Sequence, residues 1–140
     1  MAAVRNRPPR EDFGACMLLA VDVGNTNILL GVYEADTLVA NWRIRTQSDR
    51  TADEYGMLLR ELLDHSGLSL ANVTAVAISN VVPPATSALI ETCRKFFGRE
   101  PYVVKPEDQD CLRICYEPKS DVGADRIVNA AAVLELYGAP

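Results

Sequence analysis

The first part of the chain consists of apolar runs separated by polar turn residues, a pattern that predicts three short strands. An apolar run at residues 17–23 is followed by turn residues at 24–27, and a second run then covers residues 28–34. After Ala35 and Asp36, a third run covers residues 37–46. Short apolar runs that are separated by turn-forming residues indicate consecutive, hairpin-connected strands. We therefore predict an antiparallel meander.

The pattern then changes to the three- and four-residue spacing of helices. Thr51 and Glu54 form a T-x-x-E capping box, in which each side chain accepts a hydrogen bond from the backbone of the other residue. The apolar positions that follow, up to a stop at Gly67, are Tyr55, Leu58, Leu59, Leu62 and Leu63. This segment is predicted to be a helix.

Strands and helices alternate in the remainder of the chain. The apolar run at residues 73–79 is typical of a buried parallel strand, and residues 101–104 predict another strand. Between them, the prolines at 83 and 84 favour the start of a second helix, because proline is tolerated there. This helix is expected to end near Gly98, with these residues facing inward: Ala88, Leu89, Phe96 and Phe97.

A third helix is predicted near the end of the chain, after a segment at residues 112–116 that is compatible with extended structure. Ser120 or Asp121 can cap this helix, since both side chains accept hydrogen bonds from free backbone amides. The helix is expected to pass through Ile127, Ala131, Leu134 and Tyr137 and to close at Gly138 and Pro140.

The predicted order of elements is β-β-β-α-β-α-β-α. Three consecutive strands followed by alternating strands and helices indicate a mixed α/β sheet with one antiparallel edge, which is the ribonuclease H-like layout. We assign residues 17–140 to this domain. Residues 1–16 are charged, contain two prolines and show no period, so we expect a disordered extension.

Composition narrows the classes of function. The chain has 140 residues, of which 49% are hydrophobic, and its net charge is −5. An acidic chain without clustered lysine and arginine argues against nucleic acid as the main partner. Its apolar runs are strand-sized, shorter than the roughly 20 residues that cross a bilayer, so no membrane span is expected. A nuclease activity is also disfavoured, because it would need several carboxylates around two metal ions.

The cysteine pattern favours free thiols. Four cysteines are present, and the pair Cys111 and Cys115 has neither a second pair nor a histidine nearby, which makes zinc a weak interpretation. No secretory signal pattern stands at the start of the chain. We expect reduced, mostly structural thiols in a cytoplasmic protein.

The first group of candidate functional residues follows the first strand. Asp22 lies at the strand tip and is followed by a turn whose backbone amides can form an anion-binding nest, with Gly24 allowing close approach of a ligand. The side chains of Asn25, Thr26 and Asn27 add donors. Asp22 can face phosphate across Mg²⁺, which one or two carboxylates usually hold. The alternative is a plain hairpin turn with a solvated aspartate.

The second group lies where the third helix is predicted to begin. Gly123 permits close approach, and Arg126 can bind a planar carboxylate through two parallel hydrogen bonds. Asp125 can accept a proton from an attacking hydroxyl, the role of an aspartate in other kinases. The alternative is that Asp125 only complements the helix dipole and that Arg126 is a solvated surface group.

Three segments together resemble the signatures of type III pantothenate kinases. They are DVGNTN at residues 22–27, SNVVP at residues 79–83 and SDVGADRIVNAAAV at residues 120–133. They occur in order, and the resemblance covers nearly all of the chain from Met17 onward. It implies the superfamily of acetate and sugar kinases, Hsp70 and actin, in which two ribonuclease H-like domains close around a nucleotide.

The resemblance also implies roles for individual residues. Asp125 matches the general base for the pantothenate hydroxyl, while Gly123, Arg126 and Tyr116 match substrate-binding positions. ATP-phosphate binding is implied for Asp22, Gly24, Asn25, Thr26 and Asn27, with Asp22 also facing the metal.

The implied reaction is phosphorylation of pantothenate by ATP at the start of coenzyme A synthesis. Mg²⁺ with ATP, a monovalent cation (K⁺ or NH₄⁺) and a homodimer are further expectations from the family. The family's second phosphate motif and adenosine-binding residues would lie beyond Pro140. We therefore expect this chain to lack the family's second domain and to be inactive alone.

Two alternatives remain open. The chain can belong to a non-catalytic accessory or regulatory homologue, or it can be a stand-alone binding domain from a truncated gene. Formation of phosphopantothenate by the full-length gene product tests the first, and the sequence downstream of codon 140 tests the second.

Overall fold

Three antiparallel strands open the fold, as the apolar runs and the turns between them predict. A computed structural model describes residues 16–108 and 112–138. Its first strands are β1 (Met17–Val23), β2 (Asn27–Glu34) and β3 (Thr37–Arg45). β1 pairs with β2 and β2 pairs with β3, both in antiparallel order. The predicted meander is confirmed. The prediction for residues 1–15 lies outside the described residues.

The first helix begins and ends where its sequence signals predict. Helix α1 (Ala52–His65) follows Thr51, whose backbone amide donates to Glu54 Oε2 at 2.7 Å while the Glu54 amide donates to Thr51 Oγ1 at 3.3 Å. Both halves of the capping box therefore form. Gly67, the predicted stop, has a left-handed φ of 72°. The face of α1 that is buried in the core carries Tyr55, Leu59 and Leu63.

The later strands give the sheet its mixed character. Strand β4 (Val73–Asn80) pairs in parallel with β1, and β5 (Tyr102–Val103) pairs in parallel with β4. The order across the sheet is β3-β2-β1-β4-β5, so the first strand lies at its centre. An antiparallel half joined to a parallel half, with this sequence of strands and helices, is the ribonuclease H-like layout that we predicted. The extended segment considered at residues 112–116 forms no strand.

The second helix packs with the first against one face of the sheet. Helix α2 (Pro83–Thr92) continues into a π-helical turn (Cys93–Phe97) and stops at Gly98, which has a left-handed φ of 63°. The buried Thr92 hydroxyl donates to the Ala52 carbonyl at 3.1 Å, which joins α2 to the start of α1. The ring of Phe96 lies so close to Gly56 that a Cβ there would be 2.2 Å away. These contacts fix the helix pair.

The two faces of the sheet differ in what covers them. The core contains alternate residues of the central strands, such as Leu19 and Val21 of β1, together with buried residues of α1 and α2. Residues between these positions point to the opposite face, because side chains alternate along a strand. Leu18 on that face is 37% exposed, and Asp22 is half-buried. Asp22 therefore lies on the face opposite the α1–α2 core.

The third helix begins later than predicted. Helix α3 (Ala124–Tyr137) has Gly123 as its N-cap residue, without a side-chain hydrogen bond to the helix. The prediction that Ser120 or Asp121 caps it is wrong, because Lys119–Asp121 forms a separate 3₁₀ turn. Burial of Ala124 and Ile127 outweighs a side-chain cap, which contributes only about 1 kcal/mol. The last predicted helical position, Tyr137, is 81% exposed.

Candidate active site

A tight turn follows Asp22 at the end of β1. Asp22 is the penultimate residue of that strand, as predicted. The Gly24 amide donates to the Asn27 carbonyl at 2.9 Å and closes the turn, and the side chains of Asn25 and Thr26 are exposed at its tip. A Cβ on Gly24 would lie 3.1 Å from the Asn27 carbonyl oxygen. The glycine therefore allows the turn to be this tight.

The same turn is bound to the end of the third strand. Thr46, the residue after β3, donates its hydroxyl to the Gly24 carbonyl at 2.7 Å and its amide to the Thr26 carbonyl at 2.9 Å. Sequence reasoning missed Thr46, because it is 22 residues away from Gly24 and shares no local motif with it. The pairing of β2 with β3 is the signal that places it there.

Strand β4 brings a second set of residues to the same edge of the sheet. Asp22 pairs in register with Ser79, and Val23 pairs with Asn80. Because residues paired in register point to the same face, the Ser79 hydroxyl lies on the Asp22 side of the sheet. Ser79 Oγ is buried and has no hydrogen-bond partner among the described residues. Sequence reasoning included Ser79 in a motif but assigned it no role.

The start of α3 abuts this edge. The Val81 amide donates to the Val23 carbonyl at 3.1 Å, which joins the chain after β4 to the end of β1. A Cβ on Gly123 would lie 3.8 Å from Val81 Cγ1. Val81 therefore stands between the Asp22 turn and the helix start that carries Asp125. The fold brings the two groups of candidate residues to one edge of the sheet, although 103 positions separate Asp22 from Asp125.

A pocket of about 420 Å³ opens beside α3. Tyr116 and Arg126, two of the predicted substrate-binding residues, both line it, together with Asp121 and Cys115. Asp125 and Gly123 are not among its lining residues, and neither is Asp22. The pocket thus unites the tyrosine and the arginine, whereas Asp125 is exposed in the first turn of the helix next to it.

Three free cysteines lie within residues 16–108 and 112–138. Cys93 is buried, which suits a structural thiol, and burial raises its pKa to about 11. Cys16 and Cys115 are exposed free thiols, so the expectation of structural thiols does not fit them, and Cys111 lies outside the described residues. Within those ranges, no three His, Cys, Asp or Glu side chains are grouped to hold a metal ion.

Asp22 is therefore the one carboxylate proposed among the described residues to bind the expected Mg²⁺. Mg²⁺ keeps several waters and takes one or two carboxylates plus substrate phosphates, so a complete protein cage is not required. The half-buried Asp22 lies on one face with the Ser79 hydroxyl, which has no partner among the described residues, and both can meet the cation and its water shell. These residues fit the ion.

In the part of the chain that the structure describes, no helix is long and apolar enough to cross a membrane.

Comparisons with known proteins show the family of the chain. The family model for type III pantothenate kinases matches residues 18–140. A type III pantothenate kinase of Halalkalibacterium halodurans is 48% identical over 124 residues, which cover 89% of this chain and 49% of that protein. One from Bacillus cytotoxicus is also 48% identical over 124 residues, which cover 89% of this chain and 47% of that protein. The chain thus spans about half the length of these curated relatives.

The fold has a counterpart among solved structures. A chain of a PilM–PilN type IV pilus biogenesis complex superposes with a TM-score of 0.59 at 15% identity, covering 91% of this chain and 47% of that chain. At this identity the likeness concerns the fold alone, and it agrees with the mixed sheet described above.

Proposed function

Because the chain belongs to the type III pantothenate kinase family, we propose that it is the N-terminal part of an enzyme that transfers the γ-phosphoryl group of ATP to pantothenate. This reaction opens coenzyme A synthesis. The observation that carries the proposal is the link from Val23 through Val81 to Gly123, which joins the turn after β1 to the helix start that carries Asp125 and Arg126. Phosphoryl transfer needs both sites, since catalysis comes mainly from positioning two bound substrates.

The turn after β1 is proposed to bind the phosphates of ATP. Its exposed Asn25, Thr26 and Asn27 offer backbone and side-chain donors, and no bulky side chain at Gly24 obstructs them. Asp22 is proposed to hold Mg²⁺ directly or through water. When bound, that ion would neutralise charge on the phosphates.

The start of α3 is proposed to bind and activate pantothenate. Arg126 can pair with the pantothenate carboxylate through two parallel hydrogen bonds, and Tyr116 lines the same pocket. Asp125 accepts the proton of the primary hydroxyl of pantothenate while the oxygen of that hydroxyl bonds to the γ-phosphorus. The bond from that phosphorus to the bridging oxygen breaks, and ADP leaves with the electron pair.

Further properties belong to the same proposal. We also propose a requirement for K⁺ or NH₄⁺, a homodimer and a cytoplasmic location, as the resemblance to the family implies. The 140-residue chain by itself is proposed to be inactive, because it would supply only part of the ATP site. A non-catalytic homologue is the competing outcome of the test below.

The test compares two neighbouring residues in the complete protein. Asp125→Asn keeps the shape of the side chain but removes the proton acceptor, so kcat should fall by roughly 10² or more while pantothenate still binds. Arg126→Ala removes a carboxylate partner that acts in both ground and transition states, so KM for pantothenate should rise and KM for ATP should stay nearly constant.

Steady-state kinetics with each substrate varied separately provide the measurement. The 140-residue chain, assayed in parallel, should form no phosphopantothenate. A complete wild-type protein that forms none would support the accessory homologue instead. An Asp125→Asn protein with a normal kcat would remove Asp125 from the mechanism.

A further inference from the structure

Thr46 is bonded to the turn after β1 by two independent hydrogen bonds. Its hydroxyl reaches the Gly24 carbonyl at 2.7 Å, and its own amide reaches the Thr26 carbonyl at 2.9 Å. Thr46 itself is half-buried just beyond the end of β3. The two carbonyls belong to successive parts of one turn, so a single residue restrains the turn at two points.

These two bonds fix the direction of amides that Thr46 does not touch. A trans peptide is planar, and its N–H points opposite to its C=O. The only cis peptide among the described residues is Glu117–Pro118, so the peptides of the turn are trans. When Thr46 holds the Gly24 carbonyl, the Asn25 amide of the same peptide points away from Thr46. The Asn27 amide, which shares a peptide with the Thr26 carbonyl, does likewise.

We propose that Thr46 is a positioning residue that orients the backbone amides of the 24–27 turn toward the phosphates of a nucleotide. The inference rests on the proposed function, since it takes that turn to be the phosphate site. Preorganised donors bind an anion more tightly than donors that must first be ordered, because the ordering cost falls on binding. Thr46 therefore governs nucleotide affinity without contacting the nucleotide.

A second threonine supplies a matched control. The Thr74 hydroxyl donates to the Met17 carbonyl at 3.3 Å, which is also a side-chain bond to the backbone of a neighbouring element. Both threonines are half-buried. Thr74 lies at the opposite end of β1 from Asp22, so its bond supports the sheet but not the turn. A purely structural role for Thr46 would make the two residues behave alike.

The experiment uses three variants of the complete protein: Thr46→Val, Thr46→Ser and Thr74→Val. Valine keeps the shape of threonine and removes the hydroxyl, whereas serine keeps the hydroxyl. We expect Thr46→Val to raise KM for ATP about tenfold, the effect of roughly one lost hydrogen bond, with KM for pantothenate unchanged. Thr46→Ser should restore the wild-type value. Thr74→Val should lower Tm about as much as Thr46→Val does, but it should leave KM for ATP unchanged.

Calorimetric titration with a non-hydrolysable ATP analogue, without pantothenate, separates this inference from the proposed function. If the wild type binds the analogue and Thr46→Val binds it about tenfold more weakly, Thr46 positions the turn even if pantothenate is not the substrate. If the wild type phosphorylates pantothenate and Thr46→Val behaves like Thr74→Val, the kinase assignment stands and the inference on Thr46 is overturned. A wild type that neither binds the analogue nor phosphorylates pantothenate contradicts both.

Discussion

A methyl group added at Gly123 should disturb catalysis without weakening the fold. Gly123 has φ −61° and ψ 139°, a region open to any L-residue, so alanine fits this backbone without strain. Its Cβ would lie 2.5 Å from Asp125 Oδ1, whereas Val81 Cγ1, at 3.8 Å, would be in ordinary contact. The carboxylate of Asp125 is therefore the group that must move.

The size of the effect follows from this distance. Real Cβ contacts are essentially never shorter than 3.0 Å, so the Asp125 oxygen must shift by about 0.5 Å or more. A misplacement of about 1 Å can cost 10² in rate, and we expect kcat to fall between about 10- and 100-fold. The fold should gain about 0.4–1 kcal/mol instead, because alanine restricts the unfolded chain more than glycine does.

A double-mutant cycle assigns the loss to Asp125. We would measure kcat, both KM values and Tm for Gly123→Ala, Asp125→Asn and the double variant of the complete protein. If the methyl group acts through the carboxylate, the double variant should be no slower than Asp125→Asn alone. Strictly multiplicative losses would show that Gly123 acts elsewhere, for instance by contacting pantothenate. A Gly123→Ala protein with normal kcat would refute the reasoning.

Three further predictions concern the stability of the fold and the reactivity of its thiols. Ser79→Ala should raise the free energy of unfolding, measured by urea titration, by up to about 1 kcal/mol, because it removes a buried hydroxyl without a partner among the described residues. A decrease in the free energy of unfolding would contradict this and would show that a water or ligand group binds the hydroxyl. The Thr51 backbone amide donates to the Glu54 carboxylate and holds the pKa of Glu54 below its ordinary value. The ionised Glu54 carboxylate therefore stabilises the fold above about pH 4.3, and this contribution is lost as the pH falls through the lowered pKa. The difference in urea midpoint between wild type and Glu54→Gln should therefore disappear in acid, and a difference that grows there would contradict this sign. Iodoacetamide should modify the exposed Cys115 and spare the buried Cys93, whose pKa of about 11 keeps it protonated at pH 8, and peptide mapping by mass spectrometry would show any exception.

Short sequence patterns predicted part of the candidate site, and contacts between residues far apart in the sequence supply the rest. The Asp22 turn and the group around Asp125 were both found in sequence, because each is a short run of glycine, acidic and amide residues. The sequence patterns do not predict that the two groups meet at one edge of the sheet. The structure supplies the connecting contacts through Val81 and adds Thr46 and Ser79, which no local pattern marks.

The sequence by itself determined the elements whose signals lie within a few residues of one another. The meander follows from apolar runs separated by turn residues, and α1 follows from a capping box of four residues, so both were predicted nearly to the residue. Tertiary structure decided where α3 begins, because burial of Ala124 and Ile127 outweighs the weak preference of Ser120 or Asp121 for a cap position. It also decided which side chains reach the turn at the end of β1, since hydrogen bonds such as that of Thr46 join residues that only the pairing of strands brings together.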